Sequence, residues 1–421
     1  MPPGDATTRG QDGGRTVVRV IVVGAGFSGL GTAIRLRRAG MNDFVVLERA
    51  AELGGTWRDN HYPGCCCDVP SHLYSFSFEL NPEWTRAFAP RAEIQDYLRR
   101  TAQKYGVMPH IRFRHELTAA VWDEPSARWL VETAGAAYSA ELLVLGTGAL
   151  SHPMVPRLPG AEVFAGTAFH SATWDHDHDL TGKRVAVIGT GASAIQFVPE
   201  LQRRAQHLQI YQRTAPWILP RWDYRVTRAE KALLAAVPRL SLVLRGAVYA
   251  ALELRVVGFT HPRLMKSVER VARWHLRRQV ANPALRAKLS PSYTFGCKRL
   301  LLSDDYYPAV SQANVEVVTT GIREIRPHSI VAGDGTERAV DTIVWGTGFR
   351  ATEFPIASRV VGRGGLSLAD RWQGSPTAYL GVTVPNFPNL FLMTGPNSGL
   401  AHSSMVYMIE SQINYILDCL R

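Results

Sequence analysis

The chain of 421 residues is 46% apolar and 20% charged, which allows two or three domains with sizeable cores. Lys and Arg outnumber Asp and Glu by 47 to 36, a formal charge of +11 that suits phosphate-bearing partners. With no nucleic-acid motif and no basic block interleaved with aromatics, no nucleic-acid partner is expected, and five cysteines without a CxxC pair leave the cytoplasm as the expected location rather than a disulfide framework.

Residues 1–15 are glycine-rich and polar and predict a disordered lead-in, not a signal peptide. Val17 to Val23 then reads as a buried strand, broken at Gly24-Ala25-Gly26-Phe27-Ser28-Gly29 and continued as a helical pattern to Gly40. In that setting Gly24 permits the turn, Gly26 lets the backbone approach a pyrophosphate, and Gly29 lets helix and strand pack closely. The helix start adds free N–H groups and partial positive charge. Glu48 ends the next strand, 48 − 29 = 19 residues after Gly29, where an acid binds a free ribose 2′-hydroxyl. Gly54-Gly55-Thr56-Trp57 follows with more permissive backbone. Cys65-Cys66-Cys67, beside the Pro63-Gly64 turn, reads as small packing residues, since adjacent cysteines close neither a good disulfide nor a tetrahedral metal cage. No metal site is expected.

Further along, Leu142 to Leu145 runs into Gly146-Thr147-Gly148, and Ile343 to Trp345 runs into Gly346-Thr347-Gly348, breaks of the kind at which a sheet hands the chain between domains. Asp175 to Asp179, with His176 and His178, reads as a solvated turn. The strand Lys183 to Ile188 precedes a second fingerprint, Gly189-Thr190-Gly191-Ala192-Ser193-Ala194. The strand after it, His207 to Gln212, ends in Arg213, again 213 − 194 = 19 residues on. An acid repels a 2′-phosphate and a guanidinium grips one with two parallel hydrogen bonds, so FAD is expected at the first site and NADP(H) at the second. Val226 to Val280 is a basic, amphipathic helical stretch, read as a helical subdomain over the active site ahead of peripheral membrane contact. Its most apolar part, Leu240 to Phe259, is broken by Arg245, Glu253 and Arg255 and does not read as a membrane span. The expected fold is α/β, with two Rossmann-like dinucleotide-binding domains. FAD is assigned to 16–150 and 339–421, NADP to 151–225 and 286–338, and a helical insertion in the NADP domain to 226–285.

From about Val18 onward these residues resemble the flavin-dependent Baeyer–Villiger monooxygenases. The most specific part is Phe164-x-Gly166-x-x-x-His170-x-x-x-Trp174-Asp175, which resembles the signature of that family. The heteroatom-oxidising flavin monooxygenases share the early part of that pattern but lack its Trp-Asp ending. The resemblance implies an NADPH-consuming flavoprotein that inserts one atom of O2 into a hydrophobic ketone, through a peroxyflavin, to give an ester or lactone. It implies Arg299, in the segment FGCKRL, as the active-site arginine, and Asp68 as its acidic partner near the flavin ring. Lys298 is implied as a second ligand for the 2′-phosphate beside Gln212 and Arg213, and His170 as the link between NADP position and flavin reactivity. Phe164 and Trp174 read as hinge packing. Gly55, Thr56, Trp57, Tyr74, Leu117, Gly395 and Met405 are the further implied cofactor contacts. The segment 397–402, Asn-Ser-Gly-Leu-Ala-His, is similar to the 4-hydroxyacetophenone-oxidising branch. Substrate walls are expected in the helical insert and around Trp217-Ile218-Leu219 and Phe354-Pro355. Members of this family continue past the position of Arg421, so fraying of the last helix is expected. Oxidation of sulfur or nitrogen, and a catalytically impaired flavin-binding protein, stay open as alternatives. A disulfide reductase would need a CxxC or Cx4C pair, and none occurs.

Overall fold

The computed structural model describes residues 11–12, 14–400 and 402–421. Of the lead-in expected to be disordered, residues 1–10 and 13 lie outside the described residues. Gln11 and Asp12 instead pair antiparallel with Thr16 and Arg15.

In chain order the first unit contains β1 (Arg15–Val23), α1 (Phe27–Arg38) and β2 (Phe44–Glu48), the last buried at all five positions. After α2 (Arg91–Lys104) come β3 (Ile111–Phe113), β4 (Leu117–Asp123), β5 (Arg128–Thr133) and β6 (Ala137–Leu145). The second unit contains β7 (Thr167–His170), β8 (Arg184–Ile188), α3 (Ala194–Gln202) and β9 (His207–Tyr211). Three helices follow, α4 (Arg228–Ala236), α5 (Pro238–Thr260) and α6 (Pro262–Gln279), and then β10 (Val315–Val318) and β11 (Thr342–Trp345). The chain ends with β12 (Val360–Val361), β13 (Leu390–Leu392) and α7 (Met405–Cys419).

Two Rossmann-like sheets result. The first runs β12-β4-β5-β6-β1-β2-β3, with β13 added parallel to β6. The second runs β10-β9-β8-β11-β7, with every pair parallel. In each, the strand ahead of a glycine fingerprint is the one at which strand order reverses, so a crevice opens at its C-terminal end. β1 lies between β2 and β6, and β8 between β9 and β11.

The two Gly-Thr-Gly breaks close these crevices in the same way. Gly24 and Gly189 have φ of +99° and +108°, and a Cβ on them would lie 2.5 Å from the Gly146 carbonyl oxygen and 2.3 Å from that of Gly346. Only glycine fits either place. One boundary differs from expectation. β11 falls within 339–421, expected in the first unit, but all four of its residues are buried and pair with β8 and β7 of the second sheet. The chain returns to the first sheet only after Gly346-Thr347-Gly348, just as it leaves that sheet after Gly146-Thr147-Gly148.

The helices α4 to α6 project from the second unit and are tied to the first by an unusual contact. Arg245 of α5 is buried, and its Nη1 donates to the carbonyls of Leu73 and Ser75, both at 2.9 Å. Its Nη2 faces Glu410 of α7 at 3.4 Å. The fraying expected of the last helix is not seen: α7 is capped by Ser404 and buries Ile409, Ile413, Ile416 and Leu417, packed on α1. Among the described residues no single helix is long and apolar enough to cross a membrane.

Candidate active site

At the first crevice the peptide of Gly29 lies so close to that of Gly24 that an added Cβ would sit 1.7 Å from the Gly24 oxygen. Such contact brings α1 against β1. Gly26 caps α1 with no side-chain hydrogen bond, which leaves the first N–H groups of the helix free for a ligand. A Cβ at Gly26 would approach only Gly55, at 3.5 Å, so the two backbones form facing walls ahead of Thr56. Phe27 and Ser28 are buried, and Phe27 packs edge-on against Tyr74 with ring centres 5.2 Å apart. Trp57 Nε1 donates to the Tyr74 hydroxyl at 3.1 Å, and burial pushes that phenol well above its usual range. Thr147 is half-buried and Gly148 exposed beside the same turn.

Glu48 stands where the sequence places it but has company. It is 4% exposed, and Oε2 accepts from the Ala25 N–H at 2.8 Å. Oε1 accepts from the Ala50 N–H and from Arg58 Nη1, both at 2.9 Å. Each carboxylate oxygen has two lone pairs, so Oε2 retains one for a ribose hydroxyl. Sequence reasoning missed Arg58. Its signal was the need of a buried carboxylate for a counter-charge, met by the cation directly after Gly-Gly-Thr-Trp. Other implied contacts are less exposed to a ligand. Leu117 is buried in the core of the first sheet and offers no polar side-chain group. Gly395 is buried with a Cβ position 2.3 Å from the Gly381 oxygen, and Met405 Sδ accepts from the Leu400 N–H at 3.3 Å. Ala401, in the segment used for the branch assignment, lies outside the described residues.

Next to Trp57 and Tyr74 the chain brings together two charges 231 residues apart. Arg299 donates from Nε and Nη2 to one oxygen, Asp68 Oδ2, at 3.1 and 2.5 Å. Asp68 raises the Arg299 pKa above its ordinary value, so the guanidinium is cationic at any working pH. Of its five N–H bonds two are used, and the half-exposed tip keeps the rest for a ligand.

The second crevice is more open. Gly191 and Ala192 are exposed, a Cβ at Gly191 would meet nothing within 4 Å, and α3 starts at Ser193 with no side-chain cap. Thr190 is buried, with a long 3.4 Å contact to the Thr214 carbonyl, and Ala194 is fully buried. His170 ends β7 in register with Trp345 and so lies beside Gly346 to Gly348. Its Nδ1 accepts from the Ala172 N–H at 3.0 Å, while Nε2 is buried without a partner. Burial holds this imidazole below its usual pKa range, against a smaller opposing effect of the Gly348 backbone, so the ring is neutral and the proton sits on Nε2. Gln212 is similar, its Nε2 held by the Lys288 carbonyl at 2.8 Å and its Oε1 buried and unpaired. Buried polar atoms are rarely left unpaired, and both of these stand at the ligand end of the sheet. Arg213 is exposed with no ion-pair partner among the described residues, and Lys298 is exposed over the Tyr293 ring at 4.7 Å. Uncapped helix starts, an acid at one strand end and a free cation at the other fit a dinucleotide in each crevice, with the phosphorylated one in the second.

Of the residues expected in substrate walls, Trp217 is buried against Ala272 and Phe295, and Phe354 packs at a tilt against Trp372 beside the core of the first sheet. One expectation is corrected. The Asp175–Asp179 turn is not merely solvated: His178 Nε2 meets Thr342 Oγ1 and His176 Nε2 meets His61 Nδ1, each at 2.8 Å. Phe164 packs beside the core of the second sheet, and Trp174 is buried against Phe169 and Phe197. The three cysteines lie along the loop that leads to Asp68, with Cys67 buried and Cys66 Sγ accepting from Arg221 Nη1 at 2.9 Å.

The pyridine nucleotide-disulphide oxidoreductase family model matches residues 21–237. A Baeyer–Villiger monooxygenase of Streptomyces coelicolor is 52% identical over 405 residues, 96% of this chain and 78% of that one. One from Pseudomonas aeruginosa is 52% identical over 406 residues, 96% of this chain and 77% of its own. Among solved structures, a steroid monooxygenase bound to NADP superposes with a TM-score of 0.84 at 32% identity, covering 96% of this chain and 86% of that one. Two Rossmann-like crevices, an arginine–aspartate pair beside the first, and relatives this similar over nearly the whole chain lead to one conclusion: the chain belongs to the Baeyer–Villiger monooxygenase family.

Proposed function

We propose that the chain is an FAD-dependent, NADPH-consuming monooxygenase that inserts one oxygen atom of O2 into a hydrophobic ketone to give an ester or lactone. The observation that carries this reading is the Asp68–Arg299 pair, set beside the Trp57–Tyr74 wall of the first crevice by segments 231 residues apart. The FAD unit comprises residues 16–150 and the chain after Gly348, the NADP unit 151–225 and 286–345, and the insert 226–285.

Bound FAD would supply the redox chemistry, hydride acceptance from NADPH and activation of O2. The protein's part is to bind, orient and supply charge. Gly24 to Gly29 and Glu48 hold the adenosine diphosphate of FAD, with Gly55, Thr56 and Trp57 facing it. Gly189 to Ala194 hold the NADPH pyrophosphate, and Arg213 and Lys298 its 2′-phosphate. His170, buried and neutral beside the Gly346–Gly348 turn, serves NADP position and not proton transfer to substrate. Arg299 would stabilise negative charge developing on oxygen in the site, since a fixed cation acts strongly where water is excluded and needs no reorganisation. Asp68 sets its direction through two hydrogen bonds and offsets part of its charge.

Segment 397–402 supports an aryl ketone within this substrate class, and a thioether is a second class for the same site. The surface best suited to peripheral membrane contact is α5, where Leu242 and Val243 are exposed in the turn after the exposed Arg239. The five free thiols support a reducing, cytoplasmic location. The test of the activity is Arg299→Ala. NADPH should still reduce the flavin, while ester formation falls by about 10²-fold or more. Normal ester yield from that variant refutes the assignment. Offering a ketone and a thioether together, with product identification, distinguishes this activity from oxidation of sulfur alone.

A further inference from the structure

One face of α3 does something that nucleotide binding does not require. Its sequence, AIQFVPELQ, is apolar toward the core, yet the side chain of Gln196 turns toward the first unit. There its Oε1 accepts from the Tyr62 hydroxyl at 3.0 Å and from the Cys66 N–H at 3.3 Å. Its Nε2 donates to the Cys66 carbonyl at 3.1 Å. The carboxamide therefore pairs with the peptide groups of Cys66 as a neighbouring strand would, and a flipped amide would set donor against donor. Beneath it, Gly64 has φ +77° and a Cβ position 2.6 Å from the Gln196 carbonyl oxygen, so the loop backbone rests directly on α3. Tyr62 packs edge-on against Phe197 with ring centres 5.8 Å apart, and its phenol also interacts with Ser193 of the fingerprint.

Two residues past Cys66 is Asp68, the partner of Arg299. The far side of the loop is tied to its own unit, where the Cys67 N–H donates to the Ala89 carbonyl at 2.9 Å. Thus one side chain of the nucleotide helix, together with Tyr62 and Arg221, spans the seam between the NADP fingerprint and the loop that carries half of the active-site ion pair.

We propose that Gln196 is a positioning residue, a clamp that holds the Asp68–Arg299 pair in register with the nucleotide seated at the start of α3. The role given to that pair rests on the proposed function; the clamp itself does not. Because Ser193 and Gln196 lie on the first turn of α3, occupation of the fingerprint steadies the Tyr62–Cys66 loop, and loss of the carboxamide uncouples the two.

Cys66 reports on the clamp without turnover. In the FAD-loaded protein, the rate of Cys66 modification by N-ethylmaleimide is followed by peptide mass spectrometry with and without NADP+. In the unsubstituted protein NADP+ should slow the reaction. In Gln196→Leu, which leaves both Cys66 peptide groups without this partner, the rate should rise about tenfold and NADP+ should no longer protect. Gln196→Glu keeps the acceptor for Tyr62 and the Cys66 N–H and should fall between, which keeps the test available if the leucine variant fails to fold. The share of NADPH oxidised that yields hydrogen peroxide instead of ester should rise in the same order. Unchanged Cys66 labelling with unchanged NADP+ protection in either variant overturns the clamp. If the unsubstituted protein makes no ester yet shows NADP+ protection that Gln196→Leu abolishes, the clamp stands and the proposed function falls.

Discussion

Replacing Gly191 by alanine should leave the fold intact while removing most of the affinity for NADPH. A Cβ at this position meets no heavy atom within 4 Å, and the backbone is not among the positive-φ glycines, so alanine fits without strain. Its neighbour in the fingerprint behaves oppositely, since Gly189 combines φ +108° with a Cβ position 2.3 Å from the Gly346 oxygen. At an unstrained site Gly→Ala stabilises by about 0.4–1 kcal/mol through the unfolded chain, so melting should stay level or rise by up to about 4 °C. Binding should move the other way. In the proposed assignment the pyrophosphate crosses the open space above Gly191 to reach the uncapped start of α3, and a methyl group there would hold it off. Two charge-assisted hydrogen bonds, each about 1.5–3 kcal/mol, are put out of reach. A loss of about 3–6 kcal/mol corresponds to a Kd raised about 10²–10⁴-fold. Thermal melting and NADPH titration on the same FAD-loaded preparation read both quantities. An NADPH affinity within about threefold of the unsubstituted protein, judged against that expected loss, would show that the pyrophosphate does not pass over Gly191.

Arg213→Ala removes an exposed guanidinium with no ion-pair partner among the described residues, so stability should not change. The KM for NADPH should rise by about 10–100-fold and that for NADH by less than about twofold, because only the former carries the 2′-phosphate; equal effects on both would refute the assignment. Acid should destabilise the chain. Burial lowers the pKa of His61, His72, His152 and His170, so below the unfolded value of about 6.5 the unfolded chain binds more protons and the folded state loses stability as pH falls. Melting temperature should therefore drop between about pH 6.5 and pH 5, and His170→Gln should drop less over that interval. A variant with the same drop would show that His170 is not held neutral.

Much of this architecture was legible in the sequence because it is local. A buried strand, a glycine turn and a helix lie within about thirty residues of each other, and hydrophobic period and φ-permissive glycines report them directly. The acid at 48 and the arginine at 213 follow from the same spacing. The aspartate and arginine of the active site were reached by resemblance and not by any period, for nothing local joins Asp68 to a residue 231 positions later. Arg58 and Gln196 went unread for a related reason. Each looks like an ordinary surface residue of a helix until the buried carboxylate or the peptide groups it serves are placed opposite it.

By itself the sequence determined the two strand–turn–helix units and the placing of an acid and an arginine at their matching strand ends. Tertiary structure decided the rest. It put Gly146 and Gly346 against the fingerprint turns, gave β11 to the second sheet, and joined Cys66 to Gln196 across the seam. The division has a physical cause. A turn or helix is chosen by the torsions and hydrophobic spacing of consecutive residues, whereas contacts between distant side chains depend on strand order and on which faces must be buried together, and no local pattern encodes these.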